Sequence, residues 1–272
     1  MNIDIQHTDL QVQCEVHGNQ IVQRIKSIDG LEFNFDHTPE CPACCIEQNA
    51  AKEREQDERR KLERVQHLIT AAQPPRRHEG TTFDDYTTTS SAQKRILEIC
   101  RRYTNNIASQ GYPGWLALSG RPGTGKTMLL SCIAVDLAKN HVRSRYTTQA
   151  AMGREFRATY QRGAERSETS LFDYYAQIPL LLLDELGASS TEHTDRLVFE
   201  VLDTRYANNL PVVIATNHPR AALQEVVGER LFDRLTEEAT FLAFDWESNR
   251  KPAGLRNKNR ETSPARTDTH SS

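Results

Sequence analysis

The sequence predicts an α/β fold: a three-layer domain around a central parallel sheet, preceded by a small N-terminal module and a charged helix. Three observations lead there. From about Thr81, short apolar runs alternate with helical patterns, as expected for parallel strands joined by crossovers. Between the apolar run at 115–119 and a helical pattern from Lys126 lies a glycine loop, "GRPGTGKT" at 120–127. Ahead of both, "QPPRRHEG" at 73–80 breaks the pattern with two prolines and a glycine, which marks a boundary.

The chain has 272 residues, enough for one substantial domain plus a small module. We divide it into a module at 1–46, a charged helix and linker at 47–79, the α/β domain at 80–249 and a disordered, mildly basic polar tail at 250–272. The formal net charge is −3, so nothing global announces a nucleic-acid or membrane partner, and any such role must be local. The longest apolar run, 178–183, is far too short to cross a bilayer, and the first residues lack a basic segment followed by an apolar one. A cytoplasmic protein with no membrane association is expected.

Within the module, the alternating runs at 21–25 and 31–35 predict short strands. The stretch from Glu47 to Ala72 is rich in helix formers of both signs and sparse in apolar residues, which predicts a solvated helix. Helices are then expected at 91–106, 126–139, 149–162 and 191–207 and around Arg230 and Arg234. Strands are expected at 115–119, 142–147, 180–183, 212–216 and 240–244.

Four of the six cysteines crowd the first fifth of the chain, which favours a metal site over a disulfide framework. Cys14 and His17 form one chelating pair, Cys41 and Cys44 another, and a stretch long enough for a hairpin separates them. Two such pairs suit a tetrahedral Zn²⁺. The alternative is a set of free thiols, but a segment this poor in large apolar residues would struggle to fold without metal. Cys45 and, more weakly, His37 are alternative ligands.

The glycine loop has the residues that bind a nucleotide triphosphate. Gly120, Arg121, Pro122, Gly123, Thr124 and Gly125 would curl so that backbone N–H groups surround phosphate oxygens, and the helix that begins with Lys126, Thr127 and Met128 adds its positive dipole end. Lys126 should reach the β- and γ-phosphates, and Thr127 should offer its hydroxyl to Mg²⁺. The apolar run "LLLL" ends in Asp184 and Glu185, at the carboxyl end of a strand where ligands bind in parallel sheets. Asp184 is placed for the Mg²⁺ shell and Glu185 for polarising a water against the γ-phosphate. A further run ends in Thr216 and Asn217. Asn217 is either a contact to that water or to the γ-phosphate, or a plain turn asparagine ahead of Pro219.

This order of phosphate loop, Asp-Glu and Thr-Asn resembles the AAA+ ATPases. "TFDDY" from 82, "SGRPGTGKT" at 119–127, "LLLLDELG" at 180–187, "ATN" at 215–217, "GERLFDRL" at 228–235 and "FDWES" at 244–248 are similar to the DnaC/IstB family of helicase loaders and transposition helpers. The resemblance implies an ATPase whose sites lie between subunits of a homo-oligomer. It makes Arg234 the finger presented to a neighbour's nucleotide and Arg230 a second sensing or interface contact, in an order that could be reversed. Without it, the two arginines would simply face solvent or nearby carboxylates.

The resemblance also implies that the protein places a replicative helicase on single-stranded DNA under ATP control, with no helical lid after the last strand. An IstB-like transposition helper and a nucleotide-gated adaptor with little hydrolysis are the alternatives. A zinc module that engages the helicase occurs in DnaI-type loaders, which makes 1–72 a candidate docking arm. Arg154, Arg157 and Arg162 interleave with Phe156 and Tyr160, a pattern that suits strand binding or, equally, a solvated helix with both rings packed inward.

Overall fold

The computed structural model describes residues 5–18, 20–28, 31–33, 41–188 and 191–248. The expectations for the 250–272 tail, for His37 and for the end of the 31–35 strand fall outside these residues. The chain forms two compact units, Met1–Arg64 and Val65–Ser272.

In the first unit, β1 (Ile5–Gln13), β2 (Gln20–Ile28) and β3 (Leu31–Phe33) form an antiparallel sheet in that order. The register runs from Ile5 opposite Ile28 to Gln13 opposite Gln20, so the connection carries Cys14 and His17 at the tip of a hairpin. β1 was not expected from its polar composition. Helix α1 (Pro42–Ala72) begins five residues earlier than the charge pattern suggested. Proline is well suited to a first helical position, because its fixed φ matches and its missing N–H would have no partner there. Most of α1 is exposed, and pairs such as Lys61 with Glu58 at 2.9 Å add little each. Its last turns lie within the second unit, where Ile69 packs with Val135 and Ala138.

The second unit continues with α2 (Ser91–Ala108), β4 (Trp115–Gly120), α3 (Lys126–Lys139), β5 (Ser144–Thr148), α4 (Gln149–Ala158) and α5 (Glu168–Gln177). There follow β6 (Leu180–Asp184), α6 (Glu192–Ala207), β7 (Val212–Thr216), α7 (Arg220–Val227), α8 (Glu229–Glu238) and β8 (Ala239–Phe244). The five strands β4 to β8 are all parallel, in the order β5-β6-β7-β4-β8.

Alternation explains why the strands read as unbroken apolar runs. Leu180, Leu182, Val213 and Ala215 face one core with residues of α2 and α3, whereas Leu181, Leu183, Val212 and Ile214 face the other with α4, α5, α6 and α8. A strand covered on both faces has no position left for a polar residue until it ends. Hence the first carboxylates appear only at the carboxyl end of β6.

The expected helix at 149–162 stops at Ala158, and a further helix, α5, follows it where the sequence reading placed no element. Ser167 caps α5 by accepting from the Ser170 N–H at 3.1 Å, and Leu171 and Tyr175, four apart, fill the core. Phe156 is fully buried and stacks on Tyr175, so it is a core side chain and no platform for a base.

Arg205 of α6 is also fully buried. Its guanidinium donates to the carbonyls of Tyr175 (3.0 Å), Ala176 (3.4 Å), Ile178 (2.8 Å), Pro179 (3.5 Å) and Pro211 (2.7 Å). It thereby caps α5 and ties together the entries to β6 and β7. Burial lowers its pKa to about 10, so it stays charged at neutral pH. Methionine can fill the volume but donates nothing. Arg205→Met should therefore destabilise the domain by about 3 kcal/mol or more and lower its Tm by roughly 6–12 °C, as read by thermal unfolding.

Candidate functional site

The carboxyl ends of β4, β6 and β7 converge on the glycine loop. Lys126 is 7% exposed, and its ammonium donates to the Gly120 and Arg121 carbonyls at 2.7 and 2.8 Å, across the mouth of the loop. The Thr127 hydroxyl donates to Asp184 Oδ2 at 2.7 Å, the Tyr146 hydroxyl donates to the same oxygen at 3.0 Å, and the Glu185 N–H donates to Asp184 Oδ1 at 2.8 Å. Asp184 is 3% exposed, and burial, together with the Asp184 charge beside it, pushes the Tyr146 phenol's pKa up. Thr127 and Asp184 thus set two hard oxygen donors side by side next to Lys126, a set that fits Mg²⁺.

Glu185 follows in a left-handed conformation (φ 56°), uncommon for a residue other than glycine. The backbone beyond it is pinned: the Leu186 N–H donates to the Ala215 carbonyl at 3.0 Å, and Thr216 Oγ1 donates to the Leu186 carbonyl at 2.8 Å. Glu185 itself is exposed. Asn217 is also exposed and follows Thr216, which pairs with Ser119, so it emerges beside the start of the loop.

The loop is tied down from outside as well. The Arg121 N–H donates to the Phe244 carbonyl at 3.3 Å. The Thr124 carbonyl accepts from Trp246 Nε1 at 3.0 Å and from the Tyr86 hydroxyl at 3.5 Å. A Cβ on Gly120 would collide with the Phe244 carbonyl, and one on Gly125 (φ 101°) would sit 2.7 Å from the Tyr86 hydroxyl. The sequence reading missed the roles of Tyr146 and Trp246. The signal for Trp246 was its isolation, an aromatic residue just past the last apolar strand in an otherwise polar segment.

On α8, Leu231 and Leu235 are buried and Arg230 is exposed. Arg234 does not extend freely. Its Nε lies 3.3 Å from Asp203 Oδ1, and its guanidinium stacks 4.2 Å from the Tyr206 ring centre, both on α6 of the same chain.

The first unit holds a second site. Cys14, His17, Cys41 and Cys44 each offer one ligand atom, and these atoms all lie within 4.8 Å of one another. Cys14 Sγ is 3.6 Å from Cys44 Sγ, and His17 Nδ1 is 3.3 Å from Cys44 Sγ. Zn–S bonds of ~2.3 Å place tetrahedral ligand atoms roughly 3.5–3.8 Å apart, so the cluster suits zinc. Cys45, the alternative ligand, is not among the converging groups.

Backbone N–H groups of His17 and Val16 draw the Cys14 thiol down to about 6, whereas its hydrogen bond to Cys14 pushes the Cys44 thiol up to about 12. His17 Nε2 meets Glu47 Oε1 at 3.1 Å, which fixes the ring with Nδ1 toward the sulfurs, the usual outer-shell arrangement of a metal-bound imidazole.

A parallel sheet in this order, with a phosphate loop after β4, an acid ending β6 and a polar pair ending β7, defines a nucleotide-binding domain of the AAA+ class. The chain belongs to the family of IstB-like ATP binding proteins, whose sequence pattern matches residues 45–258.

Among named relatives, it is 26% identical over 179 residues to the replicative helicase loader DnaC of Escherichia coli K12, covering 64% of this chain and 70% of that one. It is 24% identical over 187 residues to the replicative helicase loader DnaI of Bacillus subtilis, covering 64% and 59%. Among solved structures it is similar to DnaI (TM-score 0.57, 25% identity, 69% of this chain and all of that one). The crystal structure of the DnaC helicase loader matches with a TM-score of 0.54 at 22% identity, over 62% of this chain and 98% of that one. The AMPPCP-bound DnaA from Aquifex aeolicus matches over 62% of this chain (TM-score 0.53, 20% identity), which spans about half of its length, 51%.

No described helix is long and apolar enough to cross a membrane.

Purified protein should carry close to one zinc per chain by metal analysis. Cys44→Ser should lose most of it while thermal unfolding of the ATP-binding unit is retained.

Proposed function

We propose that this chain is an ATP-hydrolysing loader that places a replicative helicase on single-stranded DNA, acting as a homo-oligomer with ATP sites between subunits. The observation that carries the proposal is the Thr127–Asp184 hydrogen bond beside Lys126, in a chain whose curated relatives are named replicative helicase loaders.

Each residue then has a task. The backbone N–H groups of 120–127 and the Lys126 ammonium bind phosphate oxygens, and Lys126 exchanges the Gly120 and Arg121 carbonyls for them. Thr127 and Asp184 hold Mg²⁺, which supplies charge neutralisation on the phosphates. Glu185 orients and polarises the attacking water, and Asn217 assists at the same water or the γ-phosphate. Arg234 of a neighbouring subunit, with Arg230 beside it, stabilises the charge that grows in the transition state. That role requires Arg234 to leave Asp203 and Tyr206. A part-exposed ion pair of this kind is worth ~1 kcal/mol or less and the contact with the Tyr206 ring a similar amount, so an interface contact of ordinary strength can offset the release.

Residues 1–72, with the zinc cluster and the solvated part of α1, are the docking arm for the helicase. The exposed Arg154, Arg157 and Arg162 contact the phosphates of the strand, without help from Phe156.

A pull-down against the host replicative helicase tests the loader assignment. Full-length chain should capture the helicase and chain lacking 1–72 should not; capture of a transposase instead would favour the transposition-helper reading. Glu185→Gln should bind ATP normally and turn over at least about 100-fold more slowly. Lys126→Ala and Arg234→Ala should each be inactive alone, and mixing them should restore part of the turnover, because some interfaces then combine an intact loop with an intact finger.

A further inference from the structure

Resting on the reading that the glycine loop holds ATP, we propose that Trp246 is a positioning residue for the phosphates: its indole N–H fixes the Thr124 carbonyl and thereby aims the Gly125 amide into the loop. In a planar trans peptide the C=O and N–H point in opposite directions. A donor outside the loop that holds the Thr124 oxygen therefore determines where the Gly125 hydrogen points. Trp246 Nε1 does this at 3.0 Å, with the Tyr86 hydroxyl at 3.5 Å on the same oxygen.

The rest of the corner leaves that peptide few other orientations. Thr124 is fully buried, and its hydroxyl donates to the Arg121 carbonyl at 2.8 Å. The Trp246 ring packs 4.7 Å from Phe244, centre to centre, and the Phe244 carbonyl takes the Arg121 N–H at 3.3 Å. The segment 244–246 thus grips the loop at two main-chain points, one acceptor and one donor. Tyr86 closes the opposite side, where its hydroxyl occupies the space that a Cβ at position 125 would need.

Packing alone does not require tryptophan at 246. The residue is only partly buried and lies among Asp245, Glu247 and Ser248. Phenylalanine would cover Phe244 about as well, but only a side chain with a donor reaches the Thr124 oxygen. The amide it orients belongs to the loop's αL residue (φ 101°), directly ahead of Lys126. An amide turned away from bound phosphate would be a lost charge-assisted hydrogen bond, the stronger class of such bonds.

The test compares wild-type, Trp246→Phe and Tyr86→Phe full-length protein by calorimetric titration with ATP and, separately, with adenosine, alongside steady-state turnover. Trp246→Phe should weaken ATP binding about five- to tenfold. Adenosine binding should be unchanged, and KM should rise more than kcat falls. Tyr86→Phe should give a smaller loss, about two- to threefold, with the same preference for the phosphorylated ligand.

A folded Trp246→Phe protein that binds ATP within twofold of wild type overturns the proposal, as does an equal loss for ATP and adenosine. If Trp246→Phe does not unfold cooperatively, the decision passes to Tyr86→Phe, and unchanged ATP affinity there overturns it. Failure of the wild type to bind ATP would instead remove the nucleotide reading, and this inference with it.

Discussion

Three donors meet on one buried carboxylate, and the geometry of the ATP-binding end depends on that meeting. Asp184 ends β6 at 3% exposure, where an unpaired charge would be prohibitively costly. Thr127 from the start of α3, Tyr146 from β5 and the Glu185 amide make the charge tolerable, and in doing so they lock a helix start, the edge strand β5 and its neighbour β6 to one point. Hydroxyls are versatile partners there. Each donates to Asp184 while keeping lone pairs free, so Thr127 can serve a cation without giving up the carboxylate. Left-handed Glu185 directly follows, so the buried carboxylate that anchors the site and the exposed one beside it differ by a single backbone step.

Much of this was legible in the sequence, for reasons that particular residues make plain. Inner strands β6 and β7, covered on both faces, are apolar until they end, so "LLLLDE" located both β6 and its carboxyl end. Helix α5 went unread because its apolar residues, Leu171, Phe172, Tyr174 and Tyr175, fall within little more than one turn directly ahead of the β6 run, too short a stretch for a helical period to show. β1 was missed for a similar reason, since "IQHTDLQVQ" is mostly polar and is held in register by a partner strand that local pattern does not reveal. The Cys–His cluster was recoverable because chelating pairs announce themselves by spacing. Glu47, behind His17, does not, since one acid in a helix full of acids carries no mark.

Phe156, for which the sequence left two readings equally open, shows the limit most clearly. An aromatic residue interleaved with arginines is what a strand-binding surface and an amphipathic helix both look like in one dimension. Only the position of Tyr175, on a helix that the sequence did not announce, decides between them. Tyr146, Trp246 and Arg205 share that property. Each acts through a partner between 27 and 122 residues away or across a helix–strand junction, such as Trp246 on Thr124 or Arg205 on Ile178, and no local spacing rule connects them.

The glycines of the loop deserve a different kind of weight from the one usually given them. Position 120 excludes a side chain because a neighbouring strand's carbonyl occupies the space, and position 125 because a tyrosine does. Both constraints would outlast any loss of nucleotide chemistry in a descendant of this chain. Degenerate cousins would thus keep the silhouette of the loop after its purpose had gone.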